Sequence, residues 1–315
     1  DDAWKKDANQ LFKTVFAGLE ENERKQFLES TEELVIVPDG FFWYLPFELL
    51  QTPASSSTTQ PLIQRMRIRY APTASLAVDD PRALANNGET AIVVGRLFAK
   101  ESTPIIRAAA KEIHDASAKP SVLRRPVPAD SSILSSRWDR LVVLDDIRVN
   151  PKDGFDWAPA QIDERDGQGS KLTAWMDLPW AAPQQLILPG YTTVSEDGLR
   201  AKTNGDELLV TSCGLMSAGV RTILLSRWRT GGQMSMELVR EFMQESTQVG
   251  PAAAWQRSVQ LARSTDLDPF SEPRIKGVQE ETVPKADHPF FWSGYMLIDS
   301  GFPSSQPNAP PNGQP

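Results

Sequence analysis

The sequence predicts an α/β protein, built as a three-layer α/β/α sandwich around a mostly parallel sheet. From residue 91 onward, short apolar segments of strand length alternate with amphipathic helical segments. That alternation is typical of a parallel sheet covered by helices on both faces. The 315 residues are 40% hydrophobic and 23% charged, which supplies enough apolar side chain for one large buried core.

The N-terminal region, residues 1–80, is predicted to add a helix and strands to this sheet. Apolar residues at intervals of three and four predict a helix that extends to about Ser30. These residues are Leu11, Phe12, Val15, Phe16 and Leu19. We expect strands at 33–38 and 65–71, and a second strand or short ordered stretch at 41–50. The Ser/Thr-rich residues 51–60 favour an exposed loop.

The remaining residues, 91–302, are predicted to form the core of the sandwich. The predicted strands are 91–95, 122–125, 140–144, 185–188, 221–226 and 288–299. The predicted helices are 105–116, 131–137, 205–218, 233–245 and 252–264. An irregular stretch, 151–180, lies between them. We therefore expect a single domain over residues 1–302 and a disordered, Pro-rich tail over 303–315.

Composition and charge exclude several classes of function. The net charge is −8 and the pI is about 5.0, which disfavours a nucleic-acid partner because such binding depends on neutralising phosphates. One cysteine and two histidines make a disulfide framework or a zinc site implausible. No apolar run has the length of a membrane span, so no membrane partner is expected. No glycine loop of the kind that cradles phosphates is evident, and no cofactor is expected. The cytoplasm is the favoured compartment, and the abrupt N-terminus suggests a piece of a longer chain.

Four segments, in order along the chain, resemble the CHAT family of caspase-like domains. They are LVIVPDG with LPFELL at 34–50, RYAPTASL at 69–76, AGVRTILLSRW at 218–228 and HPFFWSGYMLI at 288–298. The resemblance implies a caspase-like α/β/α fold in the clan of Cys–His peptidases. It also implies association with helical repeats, since members are often joined to tetratricopeptide arrays.

Active members of the family carry a histidine at the end of one central strand and a cysteine at the end of the next. A thiolate must attack the scissile carbonyl while an imidazole handles the proton, and strand ends hold both groups rigidly. In this chain the matching positions hold Ile147 and Tyr191. An isoleucine cannot transfer a proton and a phenol is a poor acyl nucleophile. The resemblance therefore implies a catalytically degenerate member.

Two alternatives keep an enzymatic activity. In the first, Cys213 serves a rearranged cysteine-peptidase site, although its apolar surroundings favour a buried structural thiol. The two histidines, His114 in a helix and His288 beside Pro289, are interpreted as a surface residue and a structural residue. In the second, a metal-dependent activity is centred on Asp145 and Asp146 at a strand end, where with other acids of the irregular stretch they form an acidic pocket for a divalent cation or a basic side chain. A solvated strand end explains the same two aspartates, so no metal is assigned.

Tryptophans cluster around the irregular stretch, at Trp157, Trp175 and Trp180. With Asp145 and Asp146 they are candidates for the wall of a former substrate groove, since aromatic anchors recur at binding surfaces. Packing beneath a long loop explains them equally well. The sequence as a whole predicts a pseudo-peptidase that acts as a protein-binding, scaffolding or regulatory module and recognises a protein or peptide partner.

Overall fold

Twelve strands and eight α-helices occur in the residues that the computed structural model describes: 3–53, 58–78, 88–95, 97, 103–124, 137–150, 153–159, 171–177, 182–197, 204–272 and 285–301. The helices are α1 (Ala3–Val15), α2 (Glu21–Ser30), α3 (Leu62–Arg65), α4 (Thr103–Asp115), α5 (Leu172–Met176), α6 (Asp206–Ser217), α7 (Gly232–Glu245) and α8 (Pro251–Ser264). The strands are β1 (Glu33–Ile36), β2 (Gln51–Pro53), β3 (Thr59–Pro61), β4 (Arg67–Tyr70), β5 (Thr90–Val94), β6 (Pro120–Arg124), β7 (Arg140–Leu144), β8 (Ile147–Arg148), β9 (Gln185–Leu188), β10 (Tyr191–Thr192), β11 (Thr222–Ser226) and β12 (Tyr295–Asp299).

Eight strands form one mixed sheet in the order β1-β4-β12-β11-β9-β7-β5-β6. Only the β11–β12 pair among these described strands is antiparallel. The central strands β7, β9, β11 and β12 are almost wholly buried, which explains their continuous apolar runs. The mostly parallel sheet predicted from the sequence is therefore confirmed.

Helices cover the sheet on two faces. The connection β5–α4–β6 moves toward one edge of the sheet, whereas β9–α6–β11 moves toward the other. Because such crossovers are right-handed, α4 and α6 lie on opposite faces. Helices α7 and α8 pack together and α7 packs against α4, while α5 packs against α6. The result is the predicted three-layer α/β/α arrangement.

The N-terminal region differs from its prediction in three places. The helix predicted to extend to about Ser30 is two helices, α1 and α2, because a capping box between Glu20 and Glu23 starts a new helix after residues 16–20. Residues 41–50 are not a strand, because they form two 3₁₀ turns, Gly40–Tyr44 and Phe47–Leu49. The predicted exposed loop after them contains a small hairpin of β2 and β3, in which Gln51 and Thr52 are buried. Asn9 of α1 donates to the Gln51 carbonyl at 3.0 Å, a tertiary contact that composition cannot indicate. Of the predicted helix 131–137, only Arg137 is described, and it is not helical; residues 131–136 and the predicted tail 303–315 lie outside the described residues.

Candidate functional site

The candidate site lies where two central parallel strands end side by side. Beyond β7 and β9 the chain continues into the short strands β8 and β10, which pair in parallel with Ile147 opposite Tyr191. The Ile147 amide donates to the Gly190 carbonyl at 2.8 Å, which closes the ladder. The structure thus brings together the two positions that the sequence resemblance matched to the histidine and cysteine of active family members.

Tyr191 fills this site with a fully buried aromatic side chain. Its hydroxyl shares a 2.9 Å hydrogen bond with Thr211 of α6, and the Trp157 ring meets it edge-on at 5.4 Å. Burial raises the pKa of Tyr191 well above its ordinary value, and the nearby Glu207 carboxylate raises it further. The phenol therefore stays protonated, and Ile147 beside it is also buried. Neither side chain provides a nucleophile or a base.

A buried carboxylate, Glu207, occupies the first turn of α6 next to Tyr191. Tyr44 donates its hydroxyl hydrogen to Glu207 Oε1 at 2.7 Å and accepts from the Gly205 amide at 3.1 Å. Burial, and then the hydrogen bond to Glu207, raise the pKa of Tyr44. This contact fastens the first 3₁₀ turn of the N-terminal region onto α6. Sequence reasoning missed Tyr44 and Glu207, because residues 163 positions apart carry no local signal of their pairing.

A second buried ionic cluster lies at the end of β11. Arg227 is fully buried, 3.5 Å from Glu48 Oε2, and its Cζ lies 5.0 Å from the centre of the Tyr70 ring. The guanidinium also donates to the Tyr295 carbonyl at 2.6 Å, and Tyr70 donates to Glu48 at 2.8 Å. Desolvation raises the pKa of Glu48, an effect that Arg227 opposes. Both ions fall within the family-like segments LPFELL and LLSRW, a signal that could have singled them out.

Asp145 and Asp146 follow β7 at the same sheet edge but do not form an open acidic pocket among the described residues. Asp145 is buried against Gly95, where a Cβ would lie 2.3 Å from the Asp145 Cγ. Asp146 is partly exposed and lies 3.8 Å from the Arg229 guanidinium. No group of three or more His, Cys, Asp or Glu side chains within the described part of the chain has the arrangement of a metal site.

Cys213 lies on α6, partly exposed rather than fully buried, and desolvation raises its pKa. His114 lies on α4, on the opposite face of the sheet, where its side chain is exposed beside Asp115. His288 accepts a hydrogen bond from the Phe290 amide at 3.3 Å and begins the 3₁₀ turn before β12. The structure therefore does not bring His114 and Cys213 together as a catalytic pair.

The tryptophans assigned to a possible groove are core residues where the structure describes them. Trp157 and Trp175 are 5% and 3% exposed, the first against Tyr191 and the second in α5. Trp180 lies outside the described residues. Trp157 and Trp175 therefore contribute to the core.

These features define an α/β/α protein whose candidate site lies at the paired ends of two parallel strands. The model of the CHAT domain family matches residues 5–142 and 163–300, so the chain belongs to that family. The caspase-like fold implied by the sequence resemblance agrees with this membership. Among curated proteins, no match was found.

One similar solved structure is the separase of Saccharomyces cerevisiae, in its complex with securin. The match has a TM-score of 0.44 and 10% sequence identity. It covers 82% of this chain but only 14% of the separase chain. No helix in the described ranges combines the length and hydropathy needed to cross a bilayer.

Proposed function

We propose that this CHAT domain is a pseudo-peptidase that serves as a protein-binding module. The observation that carries the proposal is the side-by-side placement of Ile147 and Tyr191 at the strand ends. Peptide hydrolysis through an acyl-enzyme needs a nucleophile and a base within hydrogen-bond reach of each other. The buried phenol, bonded to Thr211 and held by Trp157, supports loss of that chemistry.

The intact arrangement of the central strand ends supports binding, in place of catalysis, as the function of the domain. The ends of β7, β9 and β11 are held together: the Ile147 amide donates to the Gly190 carbonyl, and the single Ser226 hydroxyl hydrogen lies within reach of the Pro189 and Tyr191 carbonyl oxygens, 2.8 and 2.6 Å from Ser226 Oγ. Ligands of α/β sheets gather at such strand ends. A domain that keeps these strand ends without a nucleophile retains a surface for recognition.

The proposal is tested by incubating the protein with a mixture of synthetic peptides and following cleavage by mass spectrometry. We expect no cleavage by the wild-type protein or by Cys213→Ala. The partly exposed thiol should react with a small thiol reagent more slowly than an unperturbed cysteine, because its pKa is raised. Cleavage that disappears in Cys213→Ala would establish the rearranged cysteine peptidase instead. Cleavage that survives the substitution would also overturn the proposal.

A further inference from the structure

Three exposed phenylalanines lie on segments that pack against the first turns of α6. Phe41 and Phe42 are 54% and 37% exposed and stack on each other, with ring centres 4.4 Å apart. Phe155 is 37% exposed on the loop that precedes α5. We call Phe41, Phe42 and Phe155 the aromatic patch. Exposed clusters of large apolar side chains on a folded domain mark interaction sites more often than isolated ones do.

Glycine contacts place both segments against the first turns of α6. A Cβ on Gly205 would lie 2.5 Å from the Gly40 carbonyl oxygen, so the Phe41–Phe42 segment crosses the start of α6. A Cβ on Gly154 would lie 3.0 Å from Val210 Cγ1 and 3.5 Å from Glu207 Cα, so the Phe155 loop crosses the same helix within two turns. The aromatic patch therefore flanks the N-terminal half of α6 from two segments that are distant in sequence.

Among the described residues, the segments that bear the aromatic patch and the start of α6 carry acidic but no basic side chains. Residues 37–44, 153–159 and 204–210 contain no Lys, Arg or His. They carry four exposed carboxylates, which we call the acidic rim: Asp39, Asp153, Asp156 and Asp206. Lys171 lies nearby, one residue before the Leu172 amide that donates to the Phe155 carbonyl. Within the described residues, none of the four carboxylates has a salt-bridge partner, so their negative potential is directed toward solvent.

We infer that the aromatic patch and its acidic rim form the docking surface for a basic segment of a partner protein, in which Lys or Arg alternates with apolar side chains. This inference rests on the proposed binding function and names the partner's chemistry. Ammonium and guanidinium groups bind over phenyl rings and beside carboxylates, while apolar side chains cover the exposed ring area. An acidic peptide or a phosphate-bearing partner would be repelled by the rim.

A loop elsewhere in the molecule offers a matched control. Phe270 is 89% exposed, and its amide donates to Asp268 Oδ1 at 3.1 Å, the same arrangement and distance as Phe155 with Asp153. Its loop packs against the start of α7, because the Gln233 amide donates to the Ser271 carbonyl. An isolated phenylalanine–aspartate pair can therefore be compared with the clustered one.

The test measures fluorescence anisotropy of a labelled oligopeptide of alternating lysine and leucine. Oligopeptides of alternating glutamate and leucine, and of lysine and serine, serve as probes lacking the charge or the apolar part. We expect saturable binding of the lysine–leucine probe alone. The double variants Phe41→Ser/Phe42→Ser and Asp153→Asn/Asp156→Asn should each weaken it about tenfold, the effect of losing one or two such contacts. The Asp268→Asn/Phe270→Ser control should bind as the wild type does, and circular dichroism checks that each variant is folded.

Three results would overturn the inference. Equal binding by the wild type and both patch variants would place the basic ligand elsewhere on an acidic protein, and absence of binding by the wild type would show that the surface binds no such segment. If the lysine–serine probe bound as tightly as the lysine–leucine probe, binding would depend on charge alone and not on the exposed rings, which would also contradict the inference. None of the three results bears on peptide cleavage, which decides the proposed function separately.

Discussion

Tyr191 fills the end of a central strand with a large, planar side chain. The sequence resemblance matches this position to the reactive cysteine of active family members. The Tyr191 hydroxyl hydrogen-bonds to Thr211 and its ring packs against Trp157, so the side chain leaves no cavity at the strand end. A smaller side chain at this position would leave an unfilled volume in the core.

Asp299 is the residue from which we predict a pH dependence of stability. The buried carboxyl accepts from the Thr222 hydroxyl at 2.6 Å and from the Gly301 amide at 3.0 Å, and it is near Arg69 and Glu33. Desolvation outweighs the hydrogen bonds and Arg69, and raises its pKa to about 6. The folded state thus binds a proton more tightly than the unfolded chain does.

The sign of the effect follows from that difference. The stabilising contribution of Asp299 is complete below its unfolded pKa of about 4 and is lost as the pH rises through about 6. We expect this residue to lower the free energy of unfolding by on the order of 2–3 kcal/mol between pH 4 and pH 7. Urea unfolding at several pH values measures it, with Asp299→Asn as the control that removes the titration. Parallel pH profiles for wild type and variant would contradict the prediction.

At the scale of elements, α6 organises the candidate site. In its first turn, Glu207 accepts a hydrogen bond from the Tyr44 hydroxyl, and in its middle, Thr211 shares a hydrogen bond with Tyr191. Its C-terminal half packs closely against α5 at Gly214. The helix therefore contacts the N-terminal turns, the paired strand ends and the loop of Phe155. The position of α6 therefore sets where the Phe41 and Phe155 segments lie on the surface of the domain.

The start of α6 gives a prediction about close packing. Gly205 has φ of +73°, and a Cβ there would lie 2.5 Å from the Gly40 oxygen and 2.8 Å from Trp43 Cδ1. Gly205→Ala should lower the free energy of unfolding by about 2 kcal/mol or more, because both the backbone conformation and the contact are lost. The matched control is Gly18→Ala, where nothing lies within 4 Å of an added Cβ and a change within about 0.5 kcal/mol is expected. Equal effects in chemical denaturation would disprove the close contact.

At the scale of the whole molecule, the N-terminal region and the core share one sheet and one buried ion pair. Strands β1 and β4 pair beside β12, and Arg69 donates to the Asp299 carbonyl at 3.0 Å. Arg227, directly after β11, forms an ion pair with Glu48 and donates a hydrogen bond to the Trp43 carbonyl at 3.4 Å. The predicted subregions, 1–80 and 91–302, are therefore continuous through the sheet.

Removal of Arg227 tests this continuity. Arg227→Met leaves Glu48 buried without its counter-charge, so we expect a loss of about 3–5 kcal/mol in the free energy of unfolding. The Glu48→Leu/Arg227→Met double variant should be less destabilised, since no buried charge of the pair remains. Tryptophan fluorescence and circular dichroism during urea unfolding should report one shared transition. An unchanged midpoint for Arg227→Met would show that the ion pair does not hold the two subregions together.

The interior of the fold was largely predictable from local patterns. The strands β5, β7, β9 and β11 and the helices α7 and α8 agree closely with the sequence predictions, because apolar runs and helical periodicity reflect burial directly. The placement of Ile147 and Tyr191 at adjacent strand ends also followed from order along the chain. The 3₁₀ turns of residues 40–49 and the β2–β3 hairpin did not, since aromatic-rich and Ser/Thr-rich segments fit several local conformations.

By itself, the sequence determined the class of the fold, the family and the absence of histidine and cysteine from the paired strand ends. These properties depend on residue identity and on periodicity, both of which can be recognised within short segments of the sequence. Only the tertiary structure decided that Tyr191 is buried against Trp157 and Thr211, that Cys213 and His114 lie on opposite faces, and that Phe41 and Phe155 flank one helix. Each is a contact between distant segments, and its geometry arises from packing the complete chain.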